Sequence, residues 1–355
     1  MLDDEFHPRG IYLDTATYGL PPTRALAALS AATAAWAAGS YDPTSCDQVV
    51  ERARGAFARL HGVSCSDVAI GHQVSPMVGV LAASLPRGAR VLAAERDFTS
   101  LLFPFLAAGC EVRTVPLEQL ADAVDGAIDL VAVSAVQSAD GRLADLAAIS
   151  AAASARGALT VIDATQGCGW LPLDAGRFSA VVVGGYKWLC HPRGTAFMTI
   201  ASELRERLVP LAAGWYAGES PWESCYGTPL RLAADARRFD VSPAWLSWHA
   251  AAITLEFFEG LGIEQIHEHN LALANRLRTG LGLEPGDSAI VSLRADDQAP
   301  ARLGRAGVKA SVRAGSVRLG CHLYNTPHDI DHAVEALGGS AHGAQPAVPV
   351  EAAQT

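Results

Sequence analysis

Val181-Val-Val-Gly-Gly-Tyr-Lys187-Trp188 decides the reading of this chain. A run of valines forms a short apolar segment, two glycines interrupt it, and a lysine follows. Strands this apolar are buried on both faces, as in parallel sheets covered by helices. The segment predicts a buried strand that releases Lys187 where such a sheet opens into a crevice. A lysine held there loses its charge more easily and can attack a carbonyl as a free amine. A solvated loop lysine is the competing reading of this window alone. Upstream, Val161-Ile-Asp163-Ala-Thr-Gln166 is a second apolar strand ending in polar groups, and it favours the crevice.

Working outward, the chain alternates in the manner of βα units from about residue 67. Val68–Gly71, Ala89–Ala94, Cys110–Val115, Ile128–Ser134, Leu159–Ile162, Ala180–Val183 and Thr195–Ile200 make seven candidate strands. Helices are predicted from about Thr23, over Cys46 to His61, and over Leu143 to Arg156. Residues 211–243 are rich in Trp, Tyr, Gly and Pro and read as an ordered loop region. A helix from Trp245 to Leu261 leads to a further helix after Ile263, strands near Ile290 and Val317, and a closing helix over Pro327 to Leu337.

The totals agree with a packed α/β protein. The chain has 355 residues, 50% hydrophobic and 18% charged, with a net charge of -10. That balance argues against nucleic acid or anionic membrane surfaces as partners. No window approaches a membrane span, and the acidic start lacks an apolar signal core. The seven cysteines form no C-x-x-C pair, which points to a reduced, cytoplasmic setting. His328 and His332 share a helix face but lack a third ligand, so no metal is expected.

An aspartate and a lysine at two strand ends fit pyridoxal phosphate chemistry. That cofactor needs a lysine for its Schiff base, a carboxylate at its pyridine nitrogen and an anchor for its phosphate. Lys187 and Asp163 are the candidates for the first two. The run Gly71-His-Gln73-Val74-Ser-Pro76 has the strand-turn-helix shape that holds an anion, with Pro76 at the first helical position.

Longer segments carry a family resemblance: Tyr12-Leu-Asp-Thr-Ala16, Asp97-Phe-Thr-Ser-Leu-Leu-Phe-Pro104, Val161 to Gln166, Gly184-Gly-Tyr-Lys187, and Val317-Arg318 through Asn325-Thr326. Together they resemble the class V aminotransferase superfamily of pyridoxal-phosphate enzymes. That group includes cysteine desulfurases, kynureninases and isopenicillin N epimerase-like proteins. The resemblance runs from about Tyr12 to Leu337. It implies the fold type I transferase architecture, with a large domain on a mostly parallel seven-stranded sheet and a small α+β C-terminal domain. The expected division is an N-terminal segment on the active site (1–20), the cofactor domain (21–245), the small domain, built in part with N-terminal residues (246–337), and a disordered tail (338–355).

Position by position, the resemblance implies that Lys187 carries pyridoxal 5'-phosphate and Asp163 pairs with its ring nitrogen. Gln166 contacts the phenolic oxygen, and Phe98 stands where many relatives stack a histidine on the ring. A phenylalanine stacks but exchanges no protons, so Lys187 becomes the proton shuttle. Gln73 and Val74 match the phosphate turn, Tyr186 replaces a phosphate-reaching histidine, and Ser138 replaces an asparagine near cofactor or substrate. Ser242 matches a hydroxyl donated to the neighbouring subunit's phosphate, which implies a homodimer with shared active sites. Arg318 grips the substrate α-carboxylate; Arg313 and Tyr18 are further substrate-facing candidates.

The expected function is a pyridoxal-phosphate enzyme acting on an amino acid, with Cβ–S elimination favoured. Desulfurases of one group carry a persulfide-forming cysteine in a loop before the arginine strand. Arg313 and Arg318 stand too close for that loop, and Cys321 reads as a buried small residue. Aminotransferase and decarboxylating or deaminating chemistry are the alternatives. Racemisation, kynureninase-like hydrolysis and a non-catalytic binding protein follow.

Overall fold

Buried apolar runs separated by helices form the sheet that the alternation predicts. A computed structural model describes residues 4–338 and the backbone of Gln345–Pro346. A short strand β1 (Ile11–Tyr12) precedes helices α1 (Thr23–Ala37) and α2 (Cys46–Leu60). Then β2 (Val68–Gly71), α3 (Val74–Ala83), β3 (Arg90–Ala94), α4 (Thr99–Ala107) and β4 (Glu111–Val115) follow. Next come β5 (Leu130–Ser134), α5 (Leu146–Arg156), β6 (Leu159–Asp163), β7 (Ala180–Gly184) and β8 (Ala196–Ile200).

These strands make one seven-stranded sheet in the order β2-β8-β7-β6-β5-β3-β4. β8 runs antiparallel to both of its neighbours, and the other pairs are parallel. Because β8 reverses between β2 and β7, those two strands point the same way. The carboxyl ends of β2, β3, β5, β6 and β7 therefore share one edge, where open α/β sheets bind ligands. Hydrophobic clusters cover both faces, one with Phe57, Trp188 and Trp248 and the other with Met77, Leu101 and Phe105.

The remaining chain holds α6 (Ser202–Arg205), α7 (Trp245–Leu261), α8 (Ile263–Gly280), β9 (Ile290–Arg294) and α9 (Ala299–Arg305). β10 (Val308–Lys309), β11 (Ser311–Arg313), β12 (Ser316–Gly320) and α10 (Pro327–Gly338) complete it. β11, β12 and β9 form an antiparallel sheet, with Leu273, Leu277, Leu319 and Ile330 in the core against it. β1 pairs in parallel with β10 and ties the N-terminal segment to this part.

Some expectations are corrected. α5 begins at Leu146, not Leu143, because Leu143 pairs with Val136 in a bridge and Asp145 caps the Ala148 N–H. Pro76 is the third residue of α3, a position whose N–H has no intrahelical acceptor, so the ring still fits. Cys321 is buried, as expected of a small residue, and lies one residue past β12. The expected disordered tail falls outside the described residues, apart from Gly338, which closes α10, and Gln345–Pro346, whose backbone pairs with β9.

Candidate active site

Each strand end on the shared edge delivers part of one cleft. After β2, Gln73 stands just before α3 and Val74 begins it. After β3 comes Phe98, after β5 Ser138, and β6 ends on Asp163. β7 stops at Gly184, and the turn beyond it presents Tyr186 and Lys187 to the same space.

Lys187 is 6% exposed. Its amine lies 5.3 Å from the centre of the Phe98 ring and 5.7 Å from that of Tyr186. Burial lowers the amine to about 8, against the pull of Asp163 and with help from Arg318, Arg313 and Arg193. The turn that carries it is set by a close approach. Gly19 N–H donates to the Tyr186 carbonyl at 3.0 Å, and a Cβ on Gly19 would stand 1.9 Å from the Lys187 carbonyl oxygen.

Asp163 is buried, and burial pushes its carboxyl up. The Thr165 N–H, donating at 2.9 Å, and the nearby Lys187 act in the other direction. The Thr165 hydroxyl accepts from Gly184 N–H at 2.9 Å, which ties the end of β6 to β7. Asp97 fixes Phe98: its carboxylate accepts from the Phe98 N–H at 2.6 Å and from Ser134 N–H at 2.8 Å. Neither Thr165 nor Asp97 was assigned a role from sequence. Both are small polar residues, each with one partner on another strand, Gly184 for Thr165 and Ser134 for Asp97.

Gln166 is more constrained than expected. Its amide donates to Ala16 O and Ser138 Oγ, each at 3.0 Å, and its oxygen accepts from Trp188 Nε1 at 2.8 Å. Contact with a phenolic oxygen requires the Ser138 bond to be exchanged. Ser138 also accepts from Arg318, through its carbonyl and, at 3.3 Å, its hydroxyl. Arg318 is 2% exposed, and burial together with Arg313 lowers it to about 10, while Asp14 opposes.

Arg313 is exposed on β11, and its Nη2 donates to Thr17 Oγ1 at 3.2 Å. Tyr18 lies 5.9 Å from Tyr186, ring to ring, and its hydroxyl accepts from Arg193 N–H at 3.3 Å. Ser242 stands apart from this cleft, exposed on the segment that leads into α7. Arg193 was missed by the sequence reading, although it shares the turn between Lys187 and β8. Its guanidinium sits 4.4 Å over the Tyr186 ring, and it lines the cleft.

These groups fit pyridoxal phosphate. A buried carboxylate with partial compensation suits a ring N–H, and a buried lysine with a lowered pKa suits an aldehyde. α3 has no side-chain cap on its first turn, so its free N–H groups, with Arg193 nearby, suit a phosphate.

The profile of the class-V aminotransferases matches residues 105–301, more than half of the chain. The chain belongs to this family, whose cofactor is pyridoxal phosphate. An uncharacterized aminotransferase of Bacillus subtilis, YcbU, is 29% identical over 330 residues, 84% of this chain and 86% of the relative. A probable cysteine desulfurase of Methanothermobacter thermautotrophicus is 24% identical over 343 residues, 81% of this chain and 82% of its own. The solved complex of the cystine C–S lyase C-DES with cysteine persulfide aligns with a TM-score of 0.84 at 19% identity. That alignment covers 94% of this chain and 98% of the other. At this identity the likeness is one of fold.

Proposed function

We propose that this enzyme is a lyase that cleaves a Cβ–S bond in a cysteine-derived amino acid, with Lys187, Asp163 and Arg318 as its working groups. Bound pyridoxal phosphate supplies an electron sink for the charge that develops at the substrate α-carbon when its proton leaves. Asp163 would hold the proton of the ring nitrogen through its carboxylate. Lys187 takes the α-proton on Nζ, which its lowered pKa makes available near neutral pH. Arg318 offers parallel N–H donors to the α-carboxylate. Phe98, which lines the cleft beside the Lys187 amine, would face the cofactor ring and carries no proton. Loss of the thiol from Cβ and addition of one water give thiol, pyruvate and ammonia.

The observation that carries this reading is the hairpin of β11 and β12. Arg313 pairs with Ser316, so Ala314 and Gly315 alone make the turn, with φ of 48° and 78°. A tight turn therefore occupies the place of the cysteine loop of the resembling desulfurases. Cys321 is no substitute, since burial pushes its thiol up to about 12. The similar C-DES structure is that of a cystine C–S lyase, which also supports elimination.

The aminotransferase reading is favoured by the name of the Bacillus subtilis relative. One assay separates the two. S-substituted cysteines should release thiol and pyruvate without added keto acid. Formation of a new amino acid only when an α-keto acid is supplied would overturn the lyase in favour of the transferase.

A further inference from the structure

Arg313 and Arg318 belong to adjacent antiparallel strands. Arg313 pairs with Ser316, and Arg318 lies two residues beyond Ser316, so both arginines project from one face of the sheet. Their guanidinium groups meet at one atom: Arg313 Nη2 and Arg318 Nη2 donate to Thr17 Oγ1 at 3.2 and 2.9 Å. The rest of their hydrogen bonds go to uncharged oxygens, those of Ser138 for Arg318 and the Val312 carbonyl for Arg313.

Neither arginine forms an ion pair among the described residues, and the buried Nε of Arg318 has no acceptor. Two like charges gathered on a neutral hydroxyl are unfavourable by themselves, so the arrangement suits a ligand that brings the anions. Asp14 acts on Arg318 without forming an ion pair, and a single α-carboxylate completes the balance of that arginine alone. Arg193, a further cation lining the cleft, is engaged with the Tyr186 ring. Arg313 is left over, exposed at the outer side of Arg318.

We propose that the substrate is a dianionic amino acid, with Arg318 binding its α-carboxylate and Arg313 a second acidic group at the end of its side chain. For a cysteine-derived substrate, as in the proposed lyase function on which this rests, the sulfur substituent would end in a carboxylate or sulfonate. Arg313 is then a specificity-determining residue, and Thr17 positions both guanidinium groups. The chemistry excludes neutral S-alkyl cysteines as preferred substrates and selects acidic ones of similar length.

The test uses unreactive acids on the holoenzyme, so its outcome does not depend on whether bound amino acids are eliminated or transaminated. Calorimetry compares succinate and glutarate with butyrate and valerate. The dicarboxylates should bind at least about tenfold more tightly, as one added charge pair allows. Arg313→Gln should remove that advantage and leave the monocarboxylates unaffected, Arg313→Lys should restore part of it, and Arg318→Gln should weaken all four. Equal affinity for mono- and dicarboxylates, or equal weakening of both by Arg313→Gln, would overturn the proposal. The second result would mean that both arginines grip one carboxylate. Far-ultraviolet circular dichroism of Arg313→Gln, an exposed position, checks that the fold is retained.

Discussion

At Lys187 a long side chain is taken out of water without a carboxylate in direct contact, and the consequence is measurable. Its amine is lowered to about 8 from an ordinary 10.5, chiefly by burial. Attachment of pyridoxal phosphate to the apoprotein should speed up from pH 7 to 9 with a midpoint near about 8. A rate still climbing toward pH 10.5 would mean a solvated lysine. The sign carries through to stability: between about 8 and 10.5 the native state holds fewer protons than the unfolded chain, so the apoprotein should gain stability with rising pH across that window. Lys187 and Asp163 were legible in the sequence because each stands at the end of a strand apolar enough to be recognised, and Phe98 only through the family resemblance. Thr17, Thr165 and Arg193 were not. Their roles come from partners distant in the chain, such as the Thr17 hydroxyl that gathers two arginines.

Among the elements, the inner strands of the large sheet could be read because burial on both faces leaves apolar runs, whereas the edge strand β4 (Glu111–Val115) mixes polar and apolar residues. The direction of β8 and its place between β2 and β7 could not, since pairing across distant segments leaves no local pattern. Arg54 is a second case. Within the amphipathic helix α2 it reads as a surface residue, yet its side chain is 1% exposed and pairs with Asp240 at 2.6 Å. Asp240 also accepts from the Ile70 N–H at 2.8 Å, which fastens β2 to the segment before α7. Asp240→Ala would strand a buried guanidinium, and should lower stability by about 3–5 kcal/mol in denaturant unfolding. A loss under about 1 kcal/mol would mean that water reaches the pair. Gly19 offers a sharper test of the N-terminal segment. Gly19→Ala forces a methyl group into the Lys187 carbonyl, so the variant should fold yet bind pyridoxal phosphate poorly. Normal cofactor occupancy would show that the segment yields instead.

For the whole molecule, Ser242 is exposed and stands apart from the cleft of its own chain, while the resemblance gives it a role at a neighbour's phosphate. A homodimer follows as a proposal. Sedimentation should give twice the chain mass, and Ser242→Ala should release cofactor faster without dissociating the dimer. A monomer that retains its cofactor would remove this role. The architecture was legible from strand alternation and the resemblance together, because one sheet edge collects residues scattered over more than a hundred positions. Lys187 as the carrier of the cofactor is the claim on which every other role depends. Borohydride reduction of the holoenzyme followed by peptide mass mapping tests it most directly. The expected result is a pyridoxyl group on the peptide containing Lys187, and a visible absorption band that is absent from Lys187→Ala. A pyridoxyl group on another lysine, or an unchanged band in that variant, would contradict it.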